Sequence, residues 1–157
     1  VLFLCENNLY AMGTAIERSE SDTDLCAKAS AYLLPTRSVD GMDVIAVAAA
    51  TEQAVAEVRA GGGPQFVEFR TYRFRAHSMF DAELYRSKSE VDHWKERCPV
   101  ATYTAQLRAR GVLDDSMLAA MERAVEAELA VAVAFAEAGT WEPVENLLRD
   151  VYTEGTP

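Results

Sequence analysis

The stretch that decides the fold is TRSVDGMDVIAVAAATEQAVAEVRAGGGPQFVEFRTY, residues 36–72. It opens with a short run that predicts a β-strand and that turns at Asp40-Gly41. From Asp43 the apolar residues recur at helical spacing as far as the glycines 61–63, which end the helix. The branched and aromatic residues of QFVEFRTY then predict another strand. A strand, a crossover helix and a strand together indicate a parallel sheet.

The residues before this unit extend the same pattern. The run VLFLC, residues 1–5, is typical of a strand buried on both faces. The segment SDTDLCAKASAYLL, residues 21–34, opens with Ser and Asp and is followed by Pro35, which predicts a helix of about three turns. The sequence therefore predicts an α/β fold with crossover helices. Because ligands of parallel sheets bind beyond the carboxyl ends of the strands, the polar residues after positions 5 and 72 are the candidates for a site.

The residues after this unit predict a loop and then helices. Residues 73–89 show neither a helical nor a strand period, which indicates a long loop. SEVDHWKER begins with a capping-box pattern from Ser89 to Asp92. A long helix starts at Asp114 or Asp115 and is closed by Gly139. We expect two regions: 1–98, with the sheet and the loop, and 99–157, a helical segment that packs on this domain or on partner subunits.

The composition excludes several classes of protein. With 25 acidic and 15 basic residues among 157, the net charge of −10 argues against nucleic-acid binding. No apolar run reaches the roughly 18 residues of a membrane span. The three cysteines lack metal-ligand spacing, which predicts free thiols in a reducing compartment. Because Val1 lies inside an apolar run, we expect this chain to be the C-terminal part of a longer one.

The first polar constellation is CENNLYAMGT, residues 5–14, which contains two adjacent asparagines. Asparagine starts turns, and its side-chain oxygen also binds hard cations such as Mg²⁺. The side chain of Asn8 and the backbone oxygen of Tyr10 can face one cation. An amide carries no charge, so such a site would need an aspartate from elsewhere. The spacing alone favours the plain turn.

The second constellation is TYRFRAHSMFDAELYR, residues 71–86, a basic stretch in an acidic chain. A histidine flanked by arginines at a strand end suits an anionic ligand and a proton transfer near neutral pH. The alternative is a solvated loop whose arginines pair with nearby acids. The residues alone do not decide between the two.

The two constellations together resemble a known family. In this order and spacing, CENNLYAMGT, VDGMDV and RAGGGPQFVEFRTYRFRAHSMFDAELYRSKSEVDHWKER are similar to the alpha subunits of the thiamine diphosphate-dependent 2-oxo acid dehydrogenases, first component, and most closely to the pyruvate dehydrogenases (acetyl-transferring). The resemblance implies the C-terminal part of a thiamine diphosphate-binding fold followed by a helical tail. It also implies thiamine diphosphate and Mg²⁺ as cofactors. The implied reaction is oxidative decarboxylation of pyruvate, with transfer of the acetyl group to a lipoyl group of the acetyltransferase component.

The resemblance also implies roles for individual residues. Asn8 would be a side-chain ligand of Mg²⁺ and Tyr10 a backbone ligand, and the cofactor-binding residues would be Asn8, Arg73 and His77. His77 matches the active-site histidine, and Arg73 would hold the loop or an anionic group near the diphosphate. Ser78 falls on the position that is phosphorylated in the mitochondrial relatives.

The implied partner is a beta subunit, in a heterotetramer of two alpha and two beta chains, without which this chain would be inactive. The implied location is the cytoplasm if the source is bacterial, and the mitochondrial matrix or a plastid if it is eukaryotic. Two alternatives stay open within the family, a substrate preference for acetoin or for branched-chain 2-oxo acids. An alternative of another class is a non-catalytic α/β interaction module, in which Asn8 caps a turn and the 73–89 loop binds a partner.

Overall fold

The structure is a computed structural model that describes residues 1–151. It has two compact units, Val1–Arg110 and the residues from Gly111 onward. The first unit contains the sheet and both polar constellations, and the second is helical. The functional division at residue 98 stays a prediction.

The elements of the first unit follow one another in the order that the sequence predicts, with three short additions. They are β1 (Leu2–Asn7), β2 (Tyr10–Ala11), β3 (Thr14–Ala15), α1 (Ile16–Ser19), α2 (Leu25–Ser30), β4 (Thr36–Asp40), α3 (Val44–Arg59), β5 (Gln65–Arg70), α4 (Lys88–Lys95) and α5 (Pro99–Ala109).

The main sheet is parallel, which confirms the predicted α/β fold. β5 lies between β1 and β4 and pairs with both in parallel. Arg70 is in register with Asn7 on one side and with Asp40 on the other, so the three strands end at one level. The backbone N–H of Thr71 donates to the carbonyl of Asn7 at 2.8 Å. The two polar constellations therefore leave the sheet side by side at its carboxyl edge, as expected.

The core of this unit is centred on β5 and α3. Val67 of β5 and Ala54 of α3 have no exposed surface. The carboxylate of Asp43 caps α3 by accepting from the N–H groups of Ile45 and Ala46, which satisfies two donors that a helix start leaves open. Gly61 ends the helix with a φ of +84°, a conformation that side chains with a Cβ disfavour.

Two predicted elements differ in length or environment. The predicted three-turn helix is only Leu25–Ser30, because the chain turns after Ala31 and Leu33 takes a left-handed φ of +60°. β1 is not buried on both faces: Phe3 is 49% and Leu4 58% exposed. These adjacent side chains point to opposite faces of the sheet, so both faces of β1 are left partly uncovered by the described residues.

The start of α4 also differs from the prediction. The capping residue is Ser87, whose hydroxyl accepts from the N–H of Glu90 at 3.1 Å. The predicted cap at Ser89 lies inside the helix. Ser87 and Glu90 have the same three-residue separation as Ser89 and Asp92, so the pattern fits both pairs and does not distinguish them.

The second unit contains α6 (Asp115–Glu137) and a short 3-10 helix at Val144–Asn146. Asp114 caps α6 by accepting from the N–H of Met117 at 2.8 Å, and Gly139 lies just past its end, as predicted. Within residues 1–151 no helix combines the length and the apolar character that crossing a membrane requires.

Candidate functional site

The turn after β1 is built by its two asparagines. The side-chain oxygen of Asn7 accepts from the N–H of Leu9, and that of Asn8 from the N–H of Tyr10, each at 3.1 Å. Leu9 has a left-handed φ of +71°, which a leucine adopts only when its surroundings hold it there. The plain turn favoured by the spacing is therefore present. It does not exclude a ligand, because a carbonyl oxygen has a second lone pair.

The loop after β5 is closed at its base by Arg86. The guanidinium donates to the backbone carbonyls of Arg73 and Phe74 and pairs with the carboxylate of Glu83. It also lies 5.3 Å from the ring centre of Tyr72, a cation–π distance. Only 3% of the Arg86 side chain is exposed. One arginine thus ties both ends of the loop together.

Inside the loop, Asp81 organises the segment around His77. Its carboxylate accepts from the backbone N–H groups of His77 and Glu83 and from the Tyr85 hydroxyl, at 3.1, 2.8 and 2.9 Å. The backbone bond from Glu83, followed by those from His77 and Tyr85, lowers the pKa of Asp81 below its usual value, against the opposing effect of desolvation. The carboxylate therefore stays charged in this loop. Beyond it, the apolar tip residues Met79, Phe80 and Leu84 are almost fully exposed.

Arg73 and His77 are in contact. One guanidinium nitrogen of Arg73 lies 3.4 Å from Nδ1 of His77, and the other donates to the His77 carbonyl at 3.3 Å. A guanidinium has only donors, so Nδ1 must offer its lone pair in this contact. The neutral ring then carries its proton on Nε2, which leaves that atom to exchange a proton with a ligand.

The turn and the loop meet at one small cavity of about 20 Å³. This volume holds about one water molecule. The polar residues that line it are Asn8, Tyr10, Arg73, Arg75, His77, Tyr85 and Arg86. The structure thus brings together four residues selected from the sequence, Asn8, Tyr10, Arg73 and His77. Ser78 is exposed next to them and does not line the cavity.

The lining is suited to an anion. Three arginines and one histidine line the cavity, and none of the described Asp and Glu residues lines it. Arg86 also has a buried Nε–H that finds no acceptor among the described residues, which leaves a donor available. Phosphate oxygens match such a set of donors. The residue types present therefore match the charge of the diphosphate group that the resemblance implies, while the space of about 20 Å³ admits only one oxygen-sized group of it.

The described residues supply an incomplete set of donors for a cation. Among residues 1–151 no group of three or more His, Cys, Asp or Glu side chains could hold a metal ion. Asn8 and Tyr10 line the cavity, and an amide oxygen and a backbone oxygen are neutral ligand types that Mg²⁺ accepts. A magnesium site here would take its charged ligands from a phosphate and from protein residues elsewhere.

A cluster of aromatic residues joins the turn to the loop and to α4. The hydroxyls of Tyr10 and Tyr72 both donate to one carboxylate oxygen of Glu90, at 2.8 and 3.0 Å. Burial, followed by the hydrogen bond to Glu90, raises the pKa of Tyr10 to about 12. Tyr72 also stacks on Trp94, with ring centres 5.2 Å apart. Glu90 thus links the two halves of the site.

Sequence reasoning did not assign roles to Glu90 or to Arg86. Arg86 carried a visible signal, since it lies in the basic stretch that the pattern singled out. Glu90 carried only a partial signal, because it is the third residue after the capping residue Ser87.

A family model described as "Dehydrogenase E1 component" matches residues 1–145. The chain belongs to the dehydrogenase E1 component family. Among curated proteins, this E1-family chain is 38% identical over 152 residues to the pyruvate dehydrogenase E1 component subunit alpha of Rhizobium meliloti, covering 96% of the chain and 44% of that protein. It is 34% identical over 154 residues to the chloroplastic subunit alpha-3 of the rice enzyme, covering 98% of the chain and 36% of that protein.

A mitochondrial relative shows the same extent of similarity. The testis-specific pyruvate dehydrogenase E1 component subunit alpha of Rattus norvegicus is 34% identical over 158 residues, which cover 99% of this E1-family chain and 40% of that protein. The chain therefore spans less than half the length of the curated relatives it matches. These relatives include bacterial, chloroplastic and mitochondrial forms.

Proposed function

We propose that this chain is part of the alpha subunit of a pyruvate dehydrogenase E1 component. The whole enzyme would decarboxylate pyruvate oxidatively and pass the acetyl group to a lipoyl group of the acetyltransferase component. The observation that carries the proposal is the shared cavity of Asn8, Tyr10, Arg73 and His77. The names of the curated relatives favour pyruvate over acetoin or a branched-chain 2-oxo acid.

The cofactors in this proposal are thiamine diphosphate and Mg²⁺. When bound, thiamine diphosphate supplies the electron sink that decarboxylation requires. Asn8 would hold the magnesium through its side-chain oxygen and Tyr10 through its backbone oxygen. Arg73 would hold the diphosphate or the loop beside it, since a guanidinium pairs with phosphate oxygens.

His77 would handle protons at its Nε2. Its 3.4 Å contact with Arg73 favours the neutral form of the ring that carries the proton there. The hydrogen bond from the His77 backbone to Asp81 holds the residue at the cavity. An ordered histidine that contacts the ligand is what general acid–base catalysis requires.

The exposed Ser78 is the proposed equivalent of a phosphorylation site. A phosphate there would place up to two negative charges next to His77, within a segment ordered by the carboxylate of Asp81. The like charges would repel, and the loop would lose its order or the cavity would close to an anionic substrate. Phosphorylation would thus reduce activity.

The proposed partner is a beta subunit, in a heterotetramer of two alpha and two beta chains. The second partner is the lipoyl-bearing acetyltransferase component. The proposed location is the cytoplasm of a bacterium or, in a eukaryote, the mitochondrial matrix or a plastid. Membership of the E1 family supports the proposal of a partner subunit, and the bacterial, chloroplastic and mitochondrial forms of the relatives are consistent with these locations.

The test is an assay of the complete alpha chain assembled with its beta subunit, in the presence of thiamine diphosphate and Mg²⁺. The measurement is acetylation of a lipoyl domain with pyruvate, acetoin or 3-methyl-2-oxobutanoate as the donor. We expect kcat/KM to be highest for pyruvate. A clear preference for either of the other donors would assign the enzyme to that substrate. Failure of the wild-type assembly to bind the cofactor would instead support the non-catalytic interaction module.

A further inference from the structure

Glu68 places a carboxylate in the middle of the sheet. It lies on the central strand β5, in register with Cys5 and Ser38 on the neighbouring strands, and is 6% exposed. None of the ion pairs among the described residues involves it. A buried carboxylate is costly unless hydrogen bonds satisfy its oxygens. Its hydrogen bonds therefore indicate what it does.

Those bonds connect Glu68 to the turn after β1. One carboxylate oxygen accepts from the side-chain N–H of Asn7 at 2.7 Å, and the other accepts from the Ser38 hydroxyl at 2.6 Å. The thiol of Cys26 makes a weaker contact at 4.0 Å. The bond to Asn7 spans 61 residues of sequence, so it ties the turn to the rigid centre of the sheet.

The Asn7 amide passes this constraint to the backbone. Its nitrogen is held by Glu68, and its oxygen accepts from the N–H of Leu9. Leu9 is the residue with the left-handed φ of +71°, and it lies between Asn8 and Tyr10. Its backbone conformation decides how those two residues are presented to the cavity. Neither Glu68 nor Asn7 lines the cavity itself.

We propose that Glu68 is a positioning residue for the turn 7–10, which it holds through the Asn7 amide in the conformation that presents Asn8 and Tyr10 to Mg²⁺ and the diphosphate. The assignment of Mg²⁺ as the ion that this turn binds rests on the proposed function. The hydrogen bonds that connect Glu68 through Asn7 to Leu9 do not depend on it.

A four-member set of proteins tests the link: wild type, Asn7→Asp, Glu68→Gln and the double variant. Asn7→Asp retains an acceptor for the Leu9 N–H but sets two carboxylates against each other. The double variant restores a hydrogen bond with its direction reversed, because the Gln amide donates to the Asp carboxylate. Ser38→Ala is the matched control, since it removes the other strong bond to Glu68 without touching the turn.

The first measurement is calorimetric titration of the complete alpha–beta assembly with thiamine diphosphate at several Mg²⁺ concentrations. We expect Asn7→Asp to weaken binding about tenfold or more. Adding Glu68→Gln to it should recover most of that loss, whereas Glu68→Gln in the wild-type background should not strengthen binding. The difference between the effects of Glu68→Gln on binding in the two backgrounds measures the coupling between the two side chains. Ser38→Ala should stay within about threefold of wild type, since it spares the turn.

The second measurement is hydrogen exchange of the peptide that covers residues 5–12, in the assembly without cofactor. Exchange should rise in Asn7→Asp and return toward wild type in the double variant. If the wild type binds the cofactor but all four proteins bind and exchange alike, the inference is overturned and the proposed function stands. If the wild type does not bind while exchange follows the expected cycle, the proposed function fails and the positioning role stands.

Folding of the variants is itself informative. If Asn7→Asp fails to assemble and the double variant assembles, recovery of the folded protein supports the pairing. If the double variant fails as well, the pairing is contradicted, because the restored hydrogen bond should tolerate the exchange of partners.

Discussion

At the scale of single residues, the site depends on which side-chain atoms already make a hydrogen bond within the chain and which remain available to a ligand. Arg73 occupies Nδ1 of His77 and leaves Nε2 for a ligand. Asn8 uses one lone pair of its oxygen to form the turn and retains the other. The spacing of the asparagines favours a plain turn over a ligand, but the two do not exclude each other, because one oxygen can serve both.

His77→Ala should reduce the rate of lipoyl acetylation by about 10²- to 10⁴-fold, the usual contribution of a positioned acid–base group. The matched control is His93→Ala, since His93 is the chain's other histidine and its side chain is 72% exposed on α4. The measurement is kcat with pyruvate in the complete assembly. A His77 variant as fast as the His93 variant would remove His77 from the mechanism.

At the scale of elements, the sequence predicted the longer helix and strand of the central unit. It missed the short hairpin and the helix end that depend on single residues. α3 has several turns of apolar residues at helical spacing and β5 is rich in aromatic and branched residues, and both lie where the pattern placed them. The hairpin of β2 and β3 has two residues in each strand, too few to show any alternation. The helix before β4 ended early because Leu33 adopts a left-handed conformation, which composition does not reveal.

The loop around His77 should depend on the charge of Asp81. Because the folded-state pKa of Asp81 is lowered, its stabilising effect is complete above the unfolded-state pKa of about 3.9 and is lost as the pH falls through the lower folded value. Asp81→Asn should therefore increase hydrogen exchange of residues 73–87 at neutral pH. In the wild-type protein, exchange of these residues should rise to the same level only at acidic pH.

The control for this change is Asp92→Asn, which removes an exposed partner of Lys95 on α4. It should leave exchange in the loop unchanged, since such surface pairs contribute little. Equal exchange in the Asp81 variant and in wild type at pH 7 would show that the carboxylate does not order the loop.

At the scale of the whole molecule, a chain with a net charge of −10 surrounds one cavity with guanidinium groups. This basic stretch is visible in the sequence because its residues are contiguous. The contacts from Glu68 to Asn7 and from Glu90 to Tyr10 could not be predicted, because they join residues 61 and 80 positions apart. Such contacts follow from the register of the sheet and the path of the loop, and neither leaves a local pattern.

The stability of the sheet should depend most on its centre. Val67→Ala removes two methyl groups from a side chain with no exposed surface, which should cost about 2 kcal/mol of unfolding free energy. Val100→Ala is the control, because Val100 is 73% exposed and should change stability by less than about 0.5 kcal/mol. Denaturant unfolding of the assembled protein measures both, and equal losses would contradict a core centred on β5.

The closure of the loop by Arg86 has a consequence for variation in length. Because this arginine binds the carbonyls of residues 73 and 74, the base of the loop is fixed independently of its exposed tip. The entropy of closing a chain segment grows only with the logarithm of its length, so doubling the segment costs about 0.6 kcal/mol. Insertions near Met79 and Phe80 could therefore lengthen the tip while the base of the loop stays in place.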